Sequence, residues 1–442
     1  MKKINTLKSF KCKSLQGKIN VPGDKSISHR ALILSAISIG ESKISGLLES
    51  EDVLNTMKAL KKLGVMILKQ KKKISVLGNG GIFKKEFQTL YLGNSGTGVR
   101  LIAGLLSTKN INVTMIGDDS LSKRPMMRIV KPLREMGADI VDNGGKLPIK
   151  FLKSKFTKNI KYKLKIGSAQ VKSAILLAAS NVKGITTIEE MKPSRDHSEN
   201  MLKYFGARIE INKKKQSKLI KLYGPCILKS KYIEVPGDFS SAAFIIIAVI
   251  LARNSNVTIK SVGLNYYRVG LLEVMKAMNA NIKVSNKKTI NGEVVGDINV
   301  ISSQLVCTKI KEDISTRLID EFPILFVACS FATGVSELNG LEELKFKESN
   351  RLDAMIEALT SCGVKVEYKK NKLFIFGKKK HSGGCLVNTY SDHRIAMAML
   401  VFGMISEKPV TIDDMSMIKT SFPGFQKLFG EIGAKIKIIQ KP

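Results

Sequence analysis

The stretch VPGDKSISHR at residues 21–30 places Lys25, Ser26 and Arg30 in the first turns of a predicted helix, because a Pro-Gly turn precedes them and the apolar run ALILSAI follows. The N-terminal end of a helix carries a partial positive charge, so cations there are unfavourable unless an anion lies opposite them. Backbone N–H groups at a helix start also bind anions. The stretch therefore predicts a binding site for an anionic group.

Polar and charged side chains recur at other predicted helix starts along the chain. Ordinary capping explains the hydroxyl and carboxylate groups, because a cap accepts hydrogen bonds from the first backbone N–H groups. Capping does not explain the cations, which favour a shared anion site instead. The fourth such helix start, DFSSAAF, carries no candidate residue. The candidates are Asn94, Thr97, Arg100, Arg124, Ser168, Gln170, Ser194, Arg195, Asp320, Lys347, Glu348, Arg351, Asp392, His393, Arg394 and Lys419.

Two carboxylates, Asp320 and Glu348, stand among these predicted helix starts. A carboxylate surrounded by cations stays ionised and is available as a proton acceptor. If several helix starts face one cleft between two halves of the chain, the cleft suits substrates that carry phosphate and carboxylate groups. The alternative is that both carboxylates only balance neighbouring cations.

Metal and nucleotide chemistry have weak support in the sequence. The four histidines, at positions 29, 197, 381 and 393, show no metal-ligand spacing, so we predict no metal site. The loop GNSGTG at 93–98 has neither the dinucleotide-binding nor the Walker spacing. Its backbone N–H groups remain able to hold an anion at a helix start.

An amphipathic helix end, then Gly or Asn, then a β-like run occurs six times, for example as PLREMGADI at 132–140 and MLKYFGARI at 201–209. Gly and Asn readily adopt the left-handed backbone that ends many helices. Each occurrence therefore predicts a helix that passes into a strand. The residues at these six ends are Gly64, Gly137, Gly206, Asn279, Gly363 and Gly433.

A second sixfold pattern, a polar turn leading into an apolar helix, alternates with the first. Its first and fourth members, VPGDKS at 21–26 and VPGDFS at 235–240, are nearly identical, so one half of the chain repeats the other. A helix that is apolar nearly all round must be buried. We therefore expect an α/β (α+β) fold of two similar domains with three repeats each. The expected N-terminal domain is 21–236, and the C-terminal domain is 1–20 with 237–442.

The chain of 442 residues carries 73 Lys and Arg against 37 Asp and Glu, a net charge of +36. This charge alone would indicate nucleic acid, an anionic membrane surface or acidic substrates. Many of the lysines fall in runs between strand-like segments, which is typical of solvated loops. The lack of Trp argues against a stacking surface for single-stranded nucleic acid.

Cysteine usage and apolar runs indicate a cytoplasmic protein. The six cysteines form no C-x-x-C motif and are predicted to be reduced residues of the core. The longest apolar run, 11 residues at 242–252, is too short to span a bilayer as a helix. The basic N-terminus lacks the apolar region of a signal peptide.

Ten motifs in register resemble the 5-enolpyruvylshikimate-3-phosphate synthase family of enolpyruvyl transferases over essentially the whole chain. The resemblance implies a two-domain inside-out α/β barrel of six βαβαββ repeats that closes over a cleft. It implies transfer of the enolpyruvyl group of phosphoenolpyruvate to the 5-hydroxyl of shikimate 3-phosphate, without metal, cofactor or covalent intermediate. We expect a monomer with no nucleic-acid or membrane partner. The motifs are PGDKSISHRALIL, LGNSGTGVRL, KRPMMRIVKPLREMGA, SAQVKSAILLA, PSRDHSE, VPGDFSSAAF, IDEFPILFVA, KESNRLDAM, SDHRIAMA and KTSFPGF.

The resemblance also implies roles for individual residues. Asp320 and Glu348 move protons, from the 5-hydroxyl and to the substrate methylene respectively, and Lys25 assists as a general acid. The residues implied for shikimate 3-phosphate are Ser26, Arg30, Ser168, Gln170, Ser194, Asp320 and Lys347, with Ala169 standing where many members have a second phosphate-binding serine. Those implied for phosphoenolpyruvate are Lys25, Asn94, Gly96, Arg124, Arg351, Arg394 and Lys419.

Three other positions depart from the commonest family pattern. His197 stands where many members have a tyrosine, Glu343 where they have an asparagine, and Leu101 where they have a proline. The motifs SAQVKSA and SRDH resemble a bacterial subgroup that is often tolerant of the inhibitor glyphosate. Gly96 is kept, although tolerant members of that subgroup commonly have alanine there.

Three competing interpretations have less support. The UDP-N-acetylglucosamine enolpyruvyl transferases normally carry a reactive cysteine on a mobile loop, and the corresponding stretch here, GDDSLSKRPM at 117–126, has none. RNA 3′-phosphate cyclases use a similar repeat but need a catalytic histidine and a nucleotide site, neither of which the sequence locates. A basic nucleic-acid-binding scaffold rests on the net charge alone.

Overall fold

A computed structural model of the chain describes residues 5–70, 73–84, 87–154, 157–214 and 217–440. The chain divides into two compact units. The unit called N-terminal here comprises Gly23–Val235 and Thr289–Glu293, and the C-terminal unit comprises Met1–Pro22, Pro236–Lys288 and Val294–Pro442. The predicted N-terminal domain, 21–236, does not include residues 289–293. The predicted limits of the two domains remain a prediction.

In the described ranges the chain forms 24 strands. Most are short, and their alternating burial reflects sheets with one face on a core. The strands are β1 (Asn5–Phe10), β2 (Gln16–Asn20), β3 (Ile39–Ser45), β4 (Met66–Gln70), β5 (Lys73–Asn79), β6 (Gln88–Tyr91), β7 (Val113–Ile116), β8 (Ile140–Asn143), β9 (Lys146–Phe151), β10 (Lys161–Leu164), β11 (Gly184–Glu190), β12 (Ile209–Lys213), β13 (Lys218–Gly224), β14 (Tyr232–Glu234), β15 (Asn256–Gly263), β16 (Asn281–Ile290), β17 (Glu293–Ile301), β18 (Lys309–Ile310), β19 (Gly334–Leu338), β20 (Lys365–Lys369), β21 (Lys372–Gly377), β22 (Leu386–Val387), β23 (Val410–Ile412) and β24 (Lys435–Gln440).

The same ranges contain 14 α-helices and two 3-10 helices, which span Glu342–Phe346 and Ser416–Thr420. Apolar and amphipathic helices alternate along much of the chain, as the two sequence patterns predict. The α-helices are α1 (Lys25–Ile37), α2 (Glu51–Lys62), α3 (Gly96–Leu106), α4 (Asp119–Ser122), α5 (Met127–Glu135), α6 (Ala169–Ala179), α7 (His197–Tyr204), α8 (Phe239–Leu251), α9 (Gly270–Ala277), α10 (Glu312–Leu318), α11 (Phe322–Phe331), α12 (Arg351–Ser361), α13 (His393–Gly403) and α14 (Phe425–Glu431).

The strands form six four-stranded sheets of one design. In each, the first strand pairs in parallel with the second, and the second pairs antiparallel with the third. In four sheets the two parallel strands follow each other along the chain and are joined by a helical crossover, whereas β14/β3 and β2/β15 come from distant parts of the chain. In strand order the sheets are β14-β3-β5-β4, β6-β7-β9-β8 and β10-β11-β13-β12 in the N-terminal unit, and β2-β15-β17-β16, β18-β19-β21-β20 and β22-β23-β1-β24 in the C-terminal unit.

Apart from the short segment Thr289–Glu293, the chain passes between the units after β2 and again after β14. Strand β2 precedes helix α1 in sequence but pairs with β15 in the C-terminal unit. Strand β14 precedes helix α8 but pairs with β3 in the N-terminal unit. Both crossings therefore lie at the two VPGD turns, and each turn leads directly into a buried helix.

Each unit has its own hydrophobic core around three apolar helices. These are α1, α3 and α6 in the N-terminal unit and α8, α11 and α13 in the C-terminal unit, and α8 is buried from Phe239 to Ile250. Helices α3 and α6 approach closely at Gly104, where a Cβ atom would lie 2.3 Å from the Ala174 carbonyl oxygen. The expectation of buried helices behind small sheets in a two-domain α/β fold is confirmed.

The predicted helix ends are confirmed at all six positions. Each residue has left-handed backbone, with φ between 68° at Asn279 and 106° at Gly433. Glycine and asparagine tolerate this conformation better than other residues, which is why the pattern marks helix ends so reliably. The other four are Gly64, Gly137, Gly206 and Gly363.

One sequence expectation about the cysteines is wrong. Cys362, which follows α12, forms a disulfide with Cys385, which precedes β22, with their Cα atoms 5.8 Å apart. The two residues are 23 positions apart and share no short motif, so only the tertiary fold reveals the pairing. Among the described residues, no helix is long and apolar enough to cross a membrane.

Candidate active site

The start of helix α1 combines a capping carboxylate with a cation. Asp24 caps the helix, and its side chain accepts a hydrogen bond from the Ile27 backbone N–H at 2.9 Å. Lys25 follows, and its Nζ lies 3.1 Å from Oδ2 of Asp52 on helix α2. The Lys25 side chain is 17% exposed, so Asp52 holds a cation that still reaches the surface of this unit.

Arg30 is buried one turn further along α1. Its Nε donates to Oγ of Ser198 at 2.7 Å, and its Nη2 donates to Oγ of Ser173 at 2.7 Å. Its Nη1 donates to the Ser26 carbonyl at 2.8 Å. Burial lowers the pKa of Arg30 to about 10, although the charges of Glu199, Asp24 and Glu293 act in the opposite direction. The hydroxyl groups of Ser173 and Ser198 therefore hold a buried cation whose charge nearby carboxylates partly balance.

His29 connects three helices of the N-terminal unit. Its Nδ1 lies 2.8 Å from the Thr56 hydroxyl on α2, and its Nε2 lies 3.5 Å from Oγ of Ser95, the residue that caps α3. Burial lowers the pKa of His29 well below its usual value, and the charges of Lys25 and Arg30 act in the same direction. His29 is therefore neutral and positions the helix starts.

A second group of polar residues lies at the start of helix α3. Arg124 donates a hydrogen bond to the side-chain oxygen of Asn94, and its Nη2 lies 3.3 Å from the Ser120 hydroxyl. Arg100 donates from Nη1 to Oε1 of Gln170 at 2.8 Å and to the Gly96 carbonyl at 3.1 Å. The structure thus brings together four of the predicted binding residues, Asn94, Gly96, Arg124 and Gln170.

The space above Gly96 is narrow. A Cβ atom at this position would lie 2.9 Å from Nη1 of Arg124 and 3.0 Å from Nη1 of Arg100. Contacts that short force a neighbouring group to move. The two guanidinium groups therefore pack over a backbone that can approach them closely only because it carries no side chain.

Ser168 and Ser194 have different surroundings. Ser168 caps α6, where its Oγ accepts from the Val171 N–H at 3.4 Å, so its own hydroxyl proton is available to another acceptor. The hydroxyl of Ser194 donates to Oε1 of Glu190, which also accepts the Ser194 N–H at 3.2 Å. Binding a phosphate through the Ser194 hydroxyl would require it to change its partner. Ala169 is the first residue of α6.

Glu190 belongs to a buried ionic cluster that the sequence analysis missed. Lys172 lies 2.9 Å from both Glu190 and Glu199, and Lys218 lies 3.0 Å from Glu199. Burial raises the pKa of Glu190. Burial acts the same way on Glu199, but the charges of Lys172 and Lys218 outweigh it and lower its pKa. A lysine inside the apolar run AQVKSAILLAA was the available signal, because a buried charge needs a partner.

In the C-terminal unit, Arg351 joins the two predicted proton-transfer residues. It hydrogen-bonds Glu348, its Nη1 lies 3.6 Å from Oδ1 of Asp320, and its Nε donates to Oδ2 of Asp392 at 2.8 Å. Burial alone lowers the pKa of Arg351, but the charges of Asp392, Glu348 and Asp320 outweigh it and raise that pKa. The side chains of Asp320 and Glu348 are 17% and 23% exposed, so both carboxylates are held by Arg351 and are accessible within this unit.

Arg394, the second residue of α13, also contacts Asp320. Its Nη1 donates to the Asp320 carbonyl at 2.7 Å, and its Nη2 lies 3.7 Å from Oδ2 of the same residue. Its backbone N–H donates to Oδ1 of Asp392, the helix cap, at 2.9 Å. Asp320, Glu348, Arg351 and Arg394 therefore form one cluster.

The two remaining lysines are less closely connected to this cluster. Lys347 follows the 3-10 helix Glu342–Phe346 and directly precedes Glu348. Lys419 is exposed on the 3-10 helix Ser416–Thr420. Among the described residues, no group of three or more His, Cys, Asp or Glu side chains is arranged to hold a metal ion.

The fourth helix start, expected to carry no candidate residue, contains a buried polar network. Nη2 of Arg268 lies 3.1 Å from Oδ1 of Asp238 and 2.7 Å from Oγ of Ser240, and the Ser240 hydroxyl donates to Glu321. Arg268 and Glu321 were both missed. Arg268 was not among the helix-start candidates, and at the fifth helix start only Asp320, the neighbour of Glu321, was taken as a candidate. The near identity of VPGDFS and VPGDKS was the signal that could have drawn attention to this site.

Two α/β units with clustered cations and carboxylates at helix starts are typical of an enzyme that acts on anionic substrates. Comparison with known proteins identifies which one. The sequence model of the family described as EPSP synthase (3-phosphoshikimate 1-carboxyvinyltransferase) matches residues 10–429.

Similar proteins cover the whole chain. The 3-phosphoshikimate 1-carboxyvinyltransferase of Bartonella tribocorum (strain CIP 105476 / IBS 506) is 46% identical over 441 residues, which cover 99% of this chain and 100% of that protein. That of Acidiphilium cryptum (strain JF-5) is 46% identical over 427 residues, 96% of each chain. The solved structure of EPSP synthase from Acinetobacter baumannii matches with a TM-score of 0.88 and 38% identity, covering 99% of this chain and 100% of that one.

The chain therefore belongs to the EPSP synthase family. Its activity is the family's enolpyruvyl transfer in the shikimate pathway, which leads to chorismate and the aromatic amino acids.

Proposed function

We propose that this chain transfers the enolpyruvyl group of phosphoenolpyruvate to the 5-hydroxyl of shikimate 3-phosphate, releasing inorganic phosphate, with its helix-start residues as the machinery. The observation that carries the proposal is the contact of one buried arginine, Arg351, with both Asp320 and Glu348. Such a cluster keeps the two carboxylates close together and able to exchange protons with a bound substrate.

Proton balance assigns the work of these carboxylates. Addition requires the 5-hydroxyl to lose a proton and the methylene carbon of phosphoenolpyruvate to gain one, which gives a tetrahedral adduct. Elimination removes a proton from the new methyl group, and phosphate leaves with a proton. We assign Asp320 to the 5-hydroxyl, Glu348 to the methylene carbon and Lys25 to the leaving phosphate.

The binding residues divide between the two substrates. Arginine forks suit planar carboxylates, and lysine with hydroxyl groups suits phosphate. For shikimate 3-phosphate we assign Ser26, Arg30, Ser168, Ala169, Gln170, Ser194, Asp320 and Lys347. For phosphoenolpyruvate we assign Lys25, Asn94, Gly96, Arg124, Arg351, Arg394 and Lys419. The contact of Asn94 with Arg124 supports assigning both to the same substrate.

We also propose that the reaction needs neither a metal ion nor a cofactor. In the same proposal the chain acts as a cytoplasmic monomer without a nucleic-acid or membrane partner. A phosphate-release assay in a chelating buffer tests the chemical part directly. Phosphate should appear only when shikimate 3-phosphate and phosphoenolpyruvate are both present, and UDP-N-acetylglucosamine should not replace the first. Release that requires added divalent cation, or that proceeds with the nucleotide sugar, would contradict the proposal.

The variant Glu348→Gln tests the role of this carboxylate. Loss of a proton-transfer group costs roughly 10²–10⁴ in kcat, while the glutamine keeps the size of the side chain. Glu357→Gln is the matched control, because Glu357 is an exposed carboxylate on α12, the helix that begins at Arg351. Near-normal turnover by Glu348→Gln would remove Glu348 from the mechanism.

A further inference from the structure

The strongest feature outside the assigned residues is the buried network that joins the fourth helix start to Arg394. We propose that Glu321 is a positioning residue for Arg394, and that Ser240 and Arg268 hold the Glu321 carboxylate in place. The inference rests on the proposed function, because it takes Arg394 as a ligand of phosphoenolpyruvate. None of the three residues was assigned to substrate.

Glu321 directly follows Asp320 and caps helix α11. It is 1% exposed, and its carboxylate accepts a hydrogen bond from the Ser240 hydroxyl on α8. A buried carboxylate is costly unless it is paired and hydrogen-bonded. Glu321 therefore has a defined orientation set by a residue 81 positions away in sequence.

Arg268 determines which way the Ser240 hydroxyl points. Nη2 of Arg268 donates to Oγ of Ser240 at 2.7 Å and to Oδ1 of Asp238 at 3.1 Å. A guanidinium group is a donor only, so the Ser240 oxygen accepts from it, and the single hydroxyl proton is left for Glu321. The chain of hydrogen bonds thus runs in one direction, from Arg268 through Ser240 to Glu321.

The oxygen of Glu321 that accepts from Ser240 also faces Arg394. This Oε1 lies 3.9 Å from Nη1 of Arg394, an ion-pair distance, and the same Nη1 donates to the Asp320 carbonyl at 2.7 Å. Two consecutive residues therefore contact one guanidinium nitrogen. Glu321 lies close enough to balance part of the positive charge of Arg394. The Asp320 carboxylate is therefore not the sole counter-charge of Arg394 and can accept a hydrogen bond from a substrate hydroxyl.

This arrangement predicts a cost in substrate binding when it is disturbed. An arginine that is already held in its binding orientation loses less conformational freedom when the ligand arrives. Releasing it should raise the KM for phosphoenolpyruvate without changing the chemical step. The KM for shikimate 3-phosphate should be almost unaffected, because Arg394 is assigned to the other substrate.

The test is steady-state kinetics of Ser240→Ala, with each substrate varied in turn and the thermal midpoint measured in parallel. We expect the KM for phosphoenolpyruvate to rise about three- to tenfold, as for the loss of one ordered side chain, with kcat and the other KM within about twofold. Ser241→Ala is the matched control, because Ser241 is the next buried residue of α8 and contacts Asp238 through its backbone N–H at 3.3 Å. An unchanged KM for phosphoenolpyruvate in Ser240→Ala, whatever the thermal midpoint does, would overturn the inference.

Two further variants separate this inference from the proposed function. Glu321→Gln keeps an acceptor for Ser240 but removes the charge beside Arg394, and it should also raise the KM for phosphoenolpyruvate selectively. Arg394→Lys removes the guanidinium fork itself and should raise that KM more than either variant. If Arg394→Lys has no effect on it, the assignment of Arg394 fails. If Arg394→Lys raises it while Ser240→Ala and Glu321→Gln do not, the positioning inference alone fails.

Discussion

The two VPGD turns share one capping structure but place different residues at the start of the helix that follows. In both, an aspartate caps the following helix: Asp24 accepts from a backbone N–H at 2.9 Å, and Asp238 accepts from one at 2.7 Å. The next residue is Lys25 in the first copy, partly exposed and held by Asp52, but Phe239 in the second, with 0% exposure. The residue after the cap is therefore a partly exposed cation in the N-terminal unit and a buried core residue in the C-terminal unit.

The difference continues along both helices. His29 and Arg30 of the first copy correspond to Ala243 and Phe244 of the second, both buried in the hydrophobic core. The cation of the second copy, Arg268, comes from the segment between β15 and α9 and turns inward onto Asp238. We therefore expect the first helix start, and not the second, to bind an anionic ligand. The predictions below test this contrast from the largest effect to the smallest.

Lys25→Met should have the largest effect on activity. It removes a positive charge at the assigned anion site, so kcat/KM should fall by roughly 10²–10⁴, as for lost acid–base or electrostatic groups. Phe239→Leu, the counterpart in the second copy, should lower the thermal midpoint and change kcat/KM by less than about twofold, because a conservative core substitution acts on packing. Wild-type turnover by Lys25→Met would contradict the claim that the first VPGD copy, unlike the second, takes part in substrate binding.

Arg268→Met should have the largest effect on stability. It leaves the buried Asp238 without its ion-pair partner, and breaking a buried pair in this way costs about 3–5 kcal/mol in the free energy of unfolding. Arg253→Met is the control: this arginine is exposed, so the cost should stay within about 0.5 kcal/mol. Urea unfolding followed by circular dichroism measures both. A decrease of less than about 1 kcal/mol in the free energy of unfolding of Arg268→Met would mean that the ion pair between Arg268 and Asp238 contributes little to stability.

The sequence predicts those parts of the molecule that follow local rules. The six helix ends were predictable because left-handed backbone restricts the residue type at a single position, as at Gly64 and Asn279. The contacts that shape the site join distant residues: Lys25 pairs with Asp52 across 27 positions and Ser240 with Glu321 across 81. No local pattern encodes such pairs, and the same limit explains the missed disulfide between Cys362 and Cys385.

Gly96→Ala examines whether the cations of the N-terminal unit keep an open anion site. The added methyl group would lie 2.9 Å from Nη1 of Arg124 and must displace it. We expect the KM for phosphoenolpyruvate to rise on the order of tenfold, which corresponds to about 1.4 kcal/mol of binding free energy. Gly430→Ala is the control, since no atom lies within 4 Å of its added Cβ. An unchanged KM in Gly96→Ala would show that the orientation of Arg124 is not critical for this substrate.

The smallest effect should be a pH dependence of the free energy of unfolding that arises from His29 in the first copy. Burial lowers the pKa of His29 well below its usual value near 6.5. Below about pH 6.5 the unfolded chain binds a proton at this residue that the folded chain does not, so stability falls as the pH decreases, by up to about 1.4 kcal/mol per pH unit. The contribution is fully present above the unfolded pKa and is lost in the acid range.

His29→Asn should reduce this dependence, because asparagine does not titrate and its amide can still contact Thr56. The measurement is the free energy of unfolding of both proteins at pH 7.5, 6.5 and 5.5, and the difference between them should narrow as the pH falls. Ala243 occupies the corresponding position of the second copy, so that copy has no titrating group there. Parallel curves for the wild type and His29→Asn would mean that folding does not lower the pKa of His29.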